Sequence, residues 1–190
     1  MVAHNNSEAV IWDQMPRISL DEMKSVKLMN RTDTKFVAPR CALAQILKRA
    51  TKMEYMVQYT TGVLNSYSTI YYDTLGLEMY TMHHNRKLCR QKVRSRTYIE
   101  SEISFLEIKN KNNRGRTKKI RISVPDTDTT QIKENAEAVE FIEKNTKYVF
   151  SDLRPSLTTE FSRITLVNKE KTERITIDLN VNFHNFIHNN

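Results

Sequence analysis

A chain of 190 residues with net charge +8 and 39% hydrophobic residues has the length of one domain and enough apolar matter for an ordinary core. It has no run of about 18 apolar residues to cross a membrane as a helix. Met1–Pro16 lacks a basic-then-apolar leader, and two cysteines make neither a disulfide framework nor a metal cluster. Its only glycines, Gly62, Gly76 and Gly115, exclude both a G-x-x-x-x-G-K-[ST] loop and a G-x-G-x-x-G turn, so any phosphate must be held by side chains. Cys41 and Cys89 read as small buried hydrophobes, and a reducing, cytoplasmic setting is the default.

In chain order, residues 1–18 read as an N-terminal extension and 19–190 as the domain. Ser19-Leu-Asp-Glu22 forms a capping box opening a helix to about Asn30. Arg31–Val37 alternates, with Arg31, Asp33 and Lys35 on one side. Pro39 suits the first turn of a helix over about 39–52, whose Leu43, Ile46 and Leu47 share a face. Strands are predicted over 54–60, 66–73, 78–83, 87–98 and 104–110, followed by a turn at Asn112–Gly115 and a return strand over 116–124. A helix is predicted over 131–145 and a second hairpin over 156–167 and 173–183. Trp12, Tyr55 and Tyr59 read as packing residues, Asp73 as a turn or cap, and His83-His84 as a surface pair at a strand end. His184 and His188 lie four apart in a frayed tail.

The excess charge is concentrated. Residues 86–121 hold thirteen Lys/Arg and three Asp/Glu, more than the whole net charge, and such a field calls for an anionic partner. It is also patterned. Residues two apart share a strand face. That puts Arg90, Lys92, Arg94 and Arg96 on one face, Glu107, Lys109 and Lys111 on another, and Lys119 with Arg121 on a third. Arg163 follows Phe161 by two, and Arg174, Thr176 and Asp178 alternate with Ile175, Ile177 and Leu179. One reading is a solvated basic sheet face. Yet cations about 7 Å apart on a strand repel by roughly 2 kcal/mol per pair at an effective dielectric near 20, and the pattern recurs on three strands. The other reading is a charged barrel interior that holds a string of phosphates. The face of Arg90, Lys92, Arg94 and Arg96 carries no interleaved aromatics, which points away from nucleic acid.

Arg31-Thr-Asp-Thr-Lys35-Phe36, Tyr67-Ser68-Thr69-Ile70-Tyr71-Tyr72-Asp73-Thr74, Arg94-Ser-Arg96-Thr-Tyr98, Glu107-Ile-Lys109, Lys119-Ile-Arg121, Phe161-Ser-Arg163 and Arg174-Ile-Thr-Ile-Asp178 occur in that order. Together they resemble the polyphosphate polymerase domain of the vacuolar transporter chaperone (VTC) family, within the triphosphate tunnel metalloenzymes. The resemblance implies an α+β fold: an antiparallel eight-stranded β-barrel with helices packed outside. It implies ATP-dependent synthesis of inorganic polyphosphate, with Mn2+ or Mg2+ as cofactor and no specific nucleic-acid partner. By position, Lys35, Arg94, Arg96, Lys109, Lys119 and Arg121 would serve catalysis. Arg31, Arg90, Lys92, Lys111, Arg163 and Arg174 would bind phosphate, and Glu107 would meet the metal. Phe161 stands where the family usually has Tyr. Family members continue past the R-x-T-x-D strand with a metal-binding Glu and a Ser-Lys motif. This sequence ends at Asn190 with neither, so the barrel is expected to be incomplete there. A triphosphatase with the same fold, or a non-catalytic polyanion binder, are the alternatives.

Overall fold

The structure is a computed structural model, and it describes residues 6–23, 25, 33–125 and 129–186. Eight strands belong to one mostly antiparallel sheet, in the order β1-β2-β7-β3-β4-β5-β6, with β8 paired to β7. This is the α+β, eight-stranded architecture that the sequence motifs imply. The chain divides into two compact units, Met1–Asn65 with Arg163–Leu179 and Ser66–Ser162 with Asn180–Asn190. The long strands β7 (Arg154–Val167) and β8 (Arg174–Asn185) run through both.

The first unit contains α1 (Asn6–Asp13), β1 (Arg17–Ile18), α2 (Leu20–Met23), α3 (Leu43–Lys52) and β2 (Met56–Gln58). β1 runs parallel to β2, with Arg17 opposite Val57, and β2 runs antiparallel to β7, with Val57 opposite Leu166. Leu43, Leu47 and Ala50 fall on one face of α3 and pack with Ile11, Trp12, Val57, Ile164 and Leu166. Each such aliphatic side chain contributes about 1.5–3 kcal/mol by leaving water. The capping box at α2 is formed: Ser19 N donates to Glu22 Oε2 at 2.9 Å, and Glu22 N to Ser19 Oγ at 3.3 Å. Beyond Ser25 the predicted continuation to Asn30 lies outside the described residues. So does Arg31.

The second unit is built from β3 (Asn65–Asp73), α4 (Glu78–His84), β4 (Arg90–Tyr98), β5 (Ile103–Lys111), β6 (Thr117–Val124), α5 (Thr129–Glu134) and α6 (Ala136–Asn145). β3, β4, β5 and β6 are successive antiparallel neighbours. Their alternation separates two faces. Tyr72, Val93, Leu106, Ile108, Ile120 and Ile122 point one way and form a core with Met79, Ile142 and Phe150. α6 covers that face over β5 and β6. The charged alternates occupy the other face, so the sequence period of two has become two environments.

Four local expectations are corrected. Residues 78–83 form helix α4, not a strand. The carboxylate of Asp73 accepts hydrogen bonds from Thr74 N (2.8 Å), Met79 N (2.9 Å) and Tyr80 N (2.8 Å), capping the first turn while Met79 enters the core. His83 and His84 are therefore in a helical last turn, with His84 stacked on Tyr80. The helix predicted over 131–145 is two helices, because Asn135 adopts extended backbone and caps α6 by accepting from Ala138 N. Residues 33–39 have no regular structure. Cys41 and Cys89 are exposed, the first on the outward side of the 3-10 turn before α3 and the second in the loop entering β4.

Candidate functional site

The register of β4, β5 and β6 sets the charged alternates in rows. Arg94 stands opposite Glu107, which stands opposite Arg121. One step along, Lys92, Lys109 and Lys119 form a second row, and Arg90, Lys111 and Thr117 a third. Rows on one face are about 7 Å apart and directly opposed residues about 5 Å apart. Eight of the twelve expected cationic site residues are thereby gathered on one side of one sheet. Lys35, Arg163 and Arg174 belong to the first unit. There Lys35 is exposed, and Arg163 donates to both oxygens of Asp178 at 2.6 and 2.8 Å.

Glu107 is the only carboxylate in these rows and is fully buried. Arg94, 6% exposed, donates from Nε (2.8 Å) and Nη2 (2.6 Å) to Glu107 Oε2, and the Lys119 ammonium ion-pairs with Oε1. Burial pushes the Glu107 carboxyl upward, but Arg94 and Lys119 outweigh it and hold the group below the usual carboxylate range. The same packing strains the cations. Burial, then the charges of Arg94, Lys119 and Arg96, bring the Lys109 ammonium down to about 8. Arg96 is lowered by burial and by Arg94, and Lys119 by burial, against the pull of Glu107. One buried negative charge among so many positive ones leaves a surface that gains from any added anion.

The structure also places aromatic rings on this face, contrary to the expectation from β4 read alone. Tyr98 is two residues beyond Arg96, and β3 and β5 supply Tyr67, Tyr71 and Phe105 through their register. The Arg121 guanidinium carbon sits 4.0 Å from the Phe105 ring centre. Arg96 lies 5.5 Å from Tyr67 and 5.9 Å from Phe161, and donates from Nε to Thr69 at 3.0 Å. Tyr67 in turn stacks on Phe161 at 5.2 Å. These contacts fix arginine direction by cation–π attraction. The alternation Tyr67-Ser-Thr69-Ile-Tyr71 marks a shared face, but only register says whose face it joins. A cavity of about 560 Å³, lined among others by Tyr71, Tyr80, His83 and Phe183, shares Lys92 with the rows.

Glu107 does not make a metal site as it stands. For it to hold a divalent ion, Arg94 or Lys119 would have to yield an oxygen, and no cluster of three His, Cys, Asp or Glu converges among the described residues. The chemistry of the face is anion capture through charge-assisted hydrogen bonds, for which arginine forks and lysine points are suited.

The fold is a mostly antiparallel eight-stranded sheet, and one face of its β4, β5 and β6 is rich in cations. The chain belongs to the VTC domain family, whose model matches residues 30–190. That membership relates it to polyphosphate. Among solved structures it is similar to a suggested adenylate cyclase from Vibrio parahaemolyticus, at 15% identity and TM-score 0.47, over 75% of this chain and 63% of that one. The chain thus spans less than two thirds of that protein. It is also similar to a conserved hypothetical protein from Pyrococcus furiosus, at 12% identity and TM-score 0.37, over 88% of this chain and 71% of that one. No curated protein sequence matches it. No helix among the described residues is long and apolar enough to cross a membrane.

Proposed function

We propose that this protein binds a linear chain of phosphates along the rows of β4, β5 and β6 and extends it with the terminal phosphate of ATP. The observation that carries this reading is the row register itself: Arg94, Lys92, Lys109, Lys119 and Arg121 converge on one face around a single buried carboxylate. Phosphoryl transfer asks a protein mostly for positioning and for neutralisation of developing charge. Arg94, Arg96 and Arg121, held by Glu107, Thr69 and Phe105, would orient the phosphate oxygens. Lys109, costly to keep charged in the empty face, would gain most when a phosphate arrives. Lys35, Arg163, Arg174 and Arg31 belong to the reading only by family position.

The same rings that could stack bases are occupied by arginines and by one another, which supports phosphate over nucleic acid. Incubation with ATP and Mn2+ should yield phosphate chains that grow with time and disappear in Arg94→Ala. Release of inorganic phosphate without chain growth would instead make it a triphosphatase. The double pairing of Glu107 favours a further reading, binding without transfer. Tight tripolyphosphate binding with neither chains nor released phosphate would establish that one.

A further inference from the structure

The cavity beside the rows lies wholly within the second unit, walled by residues of β3, α4, β4, β7 and β8. Its volume of about 560 Å³ falls in the range of roughly 300–1,000 Å³ that small-molecule pockets occupy. Its walls differ from the rows. Leu77, Leu157, Tyr80 and Phe183 make it apolar and aromatic, and Lys92 is the only lysine or arginine among the described residues that line it. A string of phosphates gains little there, whereas an organic group carried by phosphates gains much.

Two rings at the cavity carry the argument. Tyr80 is 60% exposed and Phe183 69% exposed, although both line a concave site. Large rings left to water around such a hollow mark a binding surface. Tyr80 is also held in position. Its N–H donates to Asp73 at 2.8 Å, and His84 stacks on its ring at 5.8 Å. These are not the rings turned over the arginines, which are Tyr67, Phe105 and Phe161 for Arg96 and Arg121.

Two residues join the cavity to the rows. Lys92 stands opposite Lys109 in the second row and lines the cavity as well. Tyr71 lines it too, and its hydroxyl accepts from Arg94 Nη1 at 3.4 Å. A ligand whose phosphates lie on Arg94 and Lys92 therefore has its next group at the cavity.

We propose that this cavity is a nucleoside subsite, which seats the base and sugar of the ATP donor against Tyr80 and Phe183 while its phosphates lie on the rows. This rests on the phosphate-chain reading above and adds a means of telling donor from product, since polyphosphate has no group to place there. Ser156, Thr159 and Asn185 bring hydroxyl and amide groups to the same walls, suited to a sugar and a base edge.

The test measures ATP and tripolyphosphate binding to the whole protein by calorimetry, for the unaltered chain, Tyr80→Ala, Phe183→Ala and the double variant. Each single variant should weaken ATP binding by about tenfold, the worth of one stacked ring, and leave tripolyphosphate within about twofold. Retained tripolyphosphate binding also shows that the variant is folded. Tyr80→Phe, which keeps the ring, should keep ATP binding. Leu75→Ala, which removes an exposed side chain near α4 but outside the cavity, should leave both ligands near wild type. Lys92→Gln should weaken both. Equal losses of ATP and tripolyphosphate in Tyr80→Ala and Phe183→Ala, or ATP binding unchanged in the double variant, would overturn the subsite while leaving the rows in place. If the unaltered protein bound neither ligand, the row reading would fall and take the subsite with it.

Discussion

Arg94 and Glu107 face each other across β4 and β5, joined by two hydrogen bonds to one carboxylate oxygen, with Lys119 closing on the other oxygen. The carboxylate is the hinge of the charge balance on this face. Removing it would leave the buried Arg94, and the exposed Lys119 beside it, without their counter-charge. Glu107→Ala is therefore expected to lower unfolding stability by about 3 kcal/mol, the usual range for breaking a buried pair from one side. Urea melts measure this, and added tripolyphosphate should restore part of the loss.

Lys109 makes phosphate binding sensitive to alkaline pH. Its ammonium is lowered to about 8 by burial and by Arg94, Lys119 and Arg96, so above that pH the empty face carries one charge fewer. Tripolyphosphate affinity should fall as pH rises through about 8, with proton uptake on binding above it. Lys109→Arg should flatten this fall. The same shift acts on stability with the opposite sign. Between about 8 and the ordinary lysine value of 10.5 the unfolded chain holds the proton and the folded chain does not, so stability should rise with pH in that window. A calorimetric series from pH 7 to 11 reads both, and a flat affinity profile would contradict the first.

Asp73 holds α4 in place. It is buried and accepts from three backbone N–H groups. Asp73→Ala strands those donors and should cost about 1–3 kcal/mol. Hydrogen exchange should then show early opening of the α4 amides, with those of β5 still protected.

Gly115 tests backbone strain without packing. No heavy atom lies within 4 Å of where a Cβ would stand, yet φ is +75°. Gly115→Ala should cost about 1 kcal/mol through left-handed strain alone. Thermal melting of the variant checks this.

The charge rows were legible because alternation is a local property. Arg94 with Arg96, Glu107 with Lys109, and Lys119 with Arg121 share faces whatever the rest of the chain does. The β5–β6 hairpin was legible for the same reason, since Asn112 and Gly115 specify its turn. Partnership across strands was not. That Arg94 meets Glu107, and Arg121 covers Phe105, depends on register fixed by the whole sheet. α4 misled because its Met-Tyr-Thr-Met run is rich in strand formers. What decides its form is Asp73, which lies before the segment, and a core that admits Met79. Asn135 split a helix whose apolar spacing runs on unbroken through it. The exposure of Cys41 and Cys89 follows from their being in a turn and a loop, which residue type does not announce.

A fold that crowds eight basic side chains around one acid is, in effect, a salt waiting for its other half. During preparation it will take that half from whatever the solution offers. Preparations in phosphate or sulfate buffers should be firmer and cleaner than those in chloride, and those from cell extracts should carry bound anions until washed at high ionic strength.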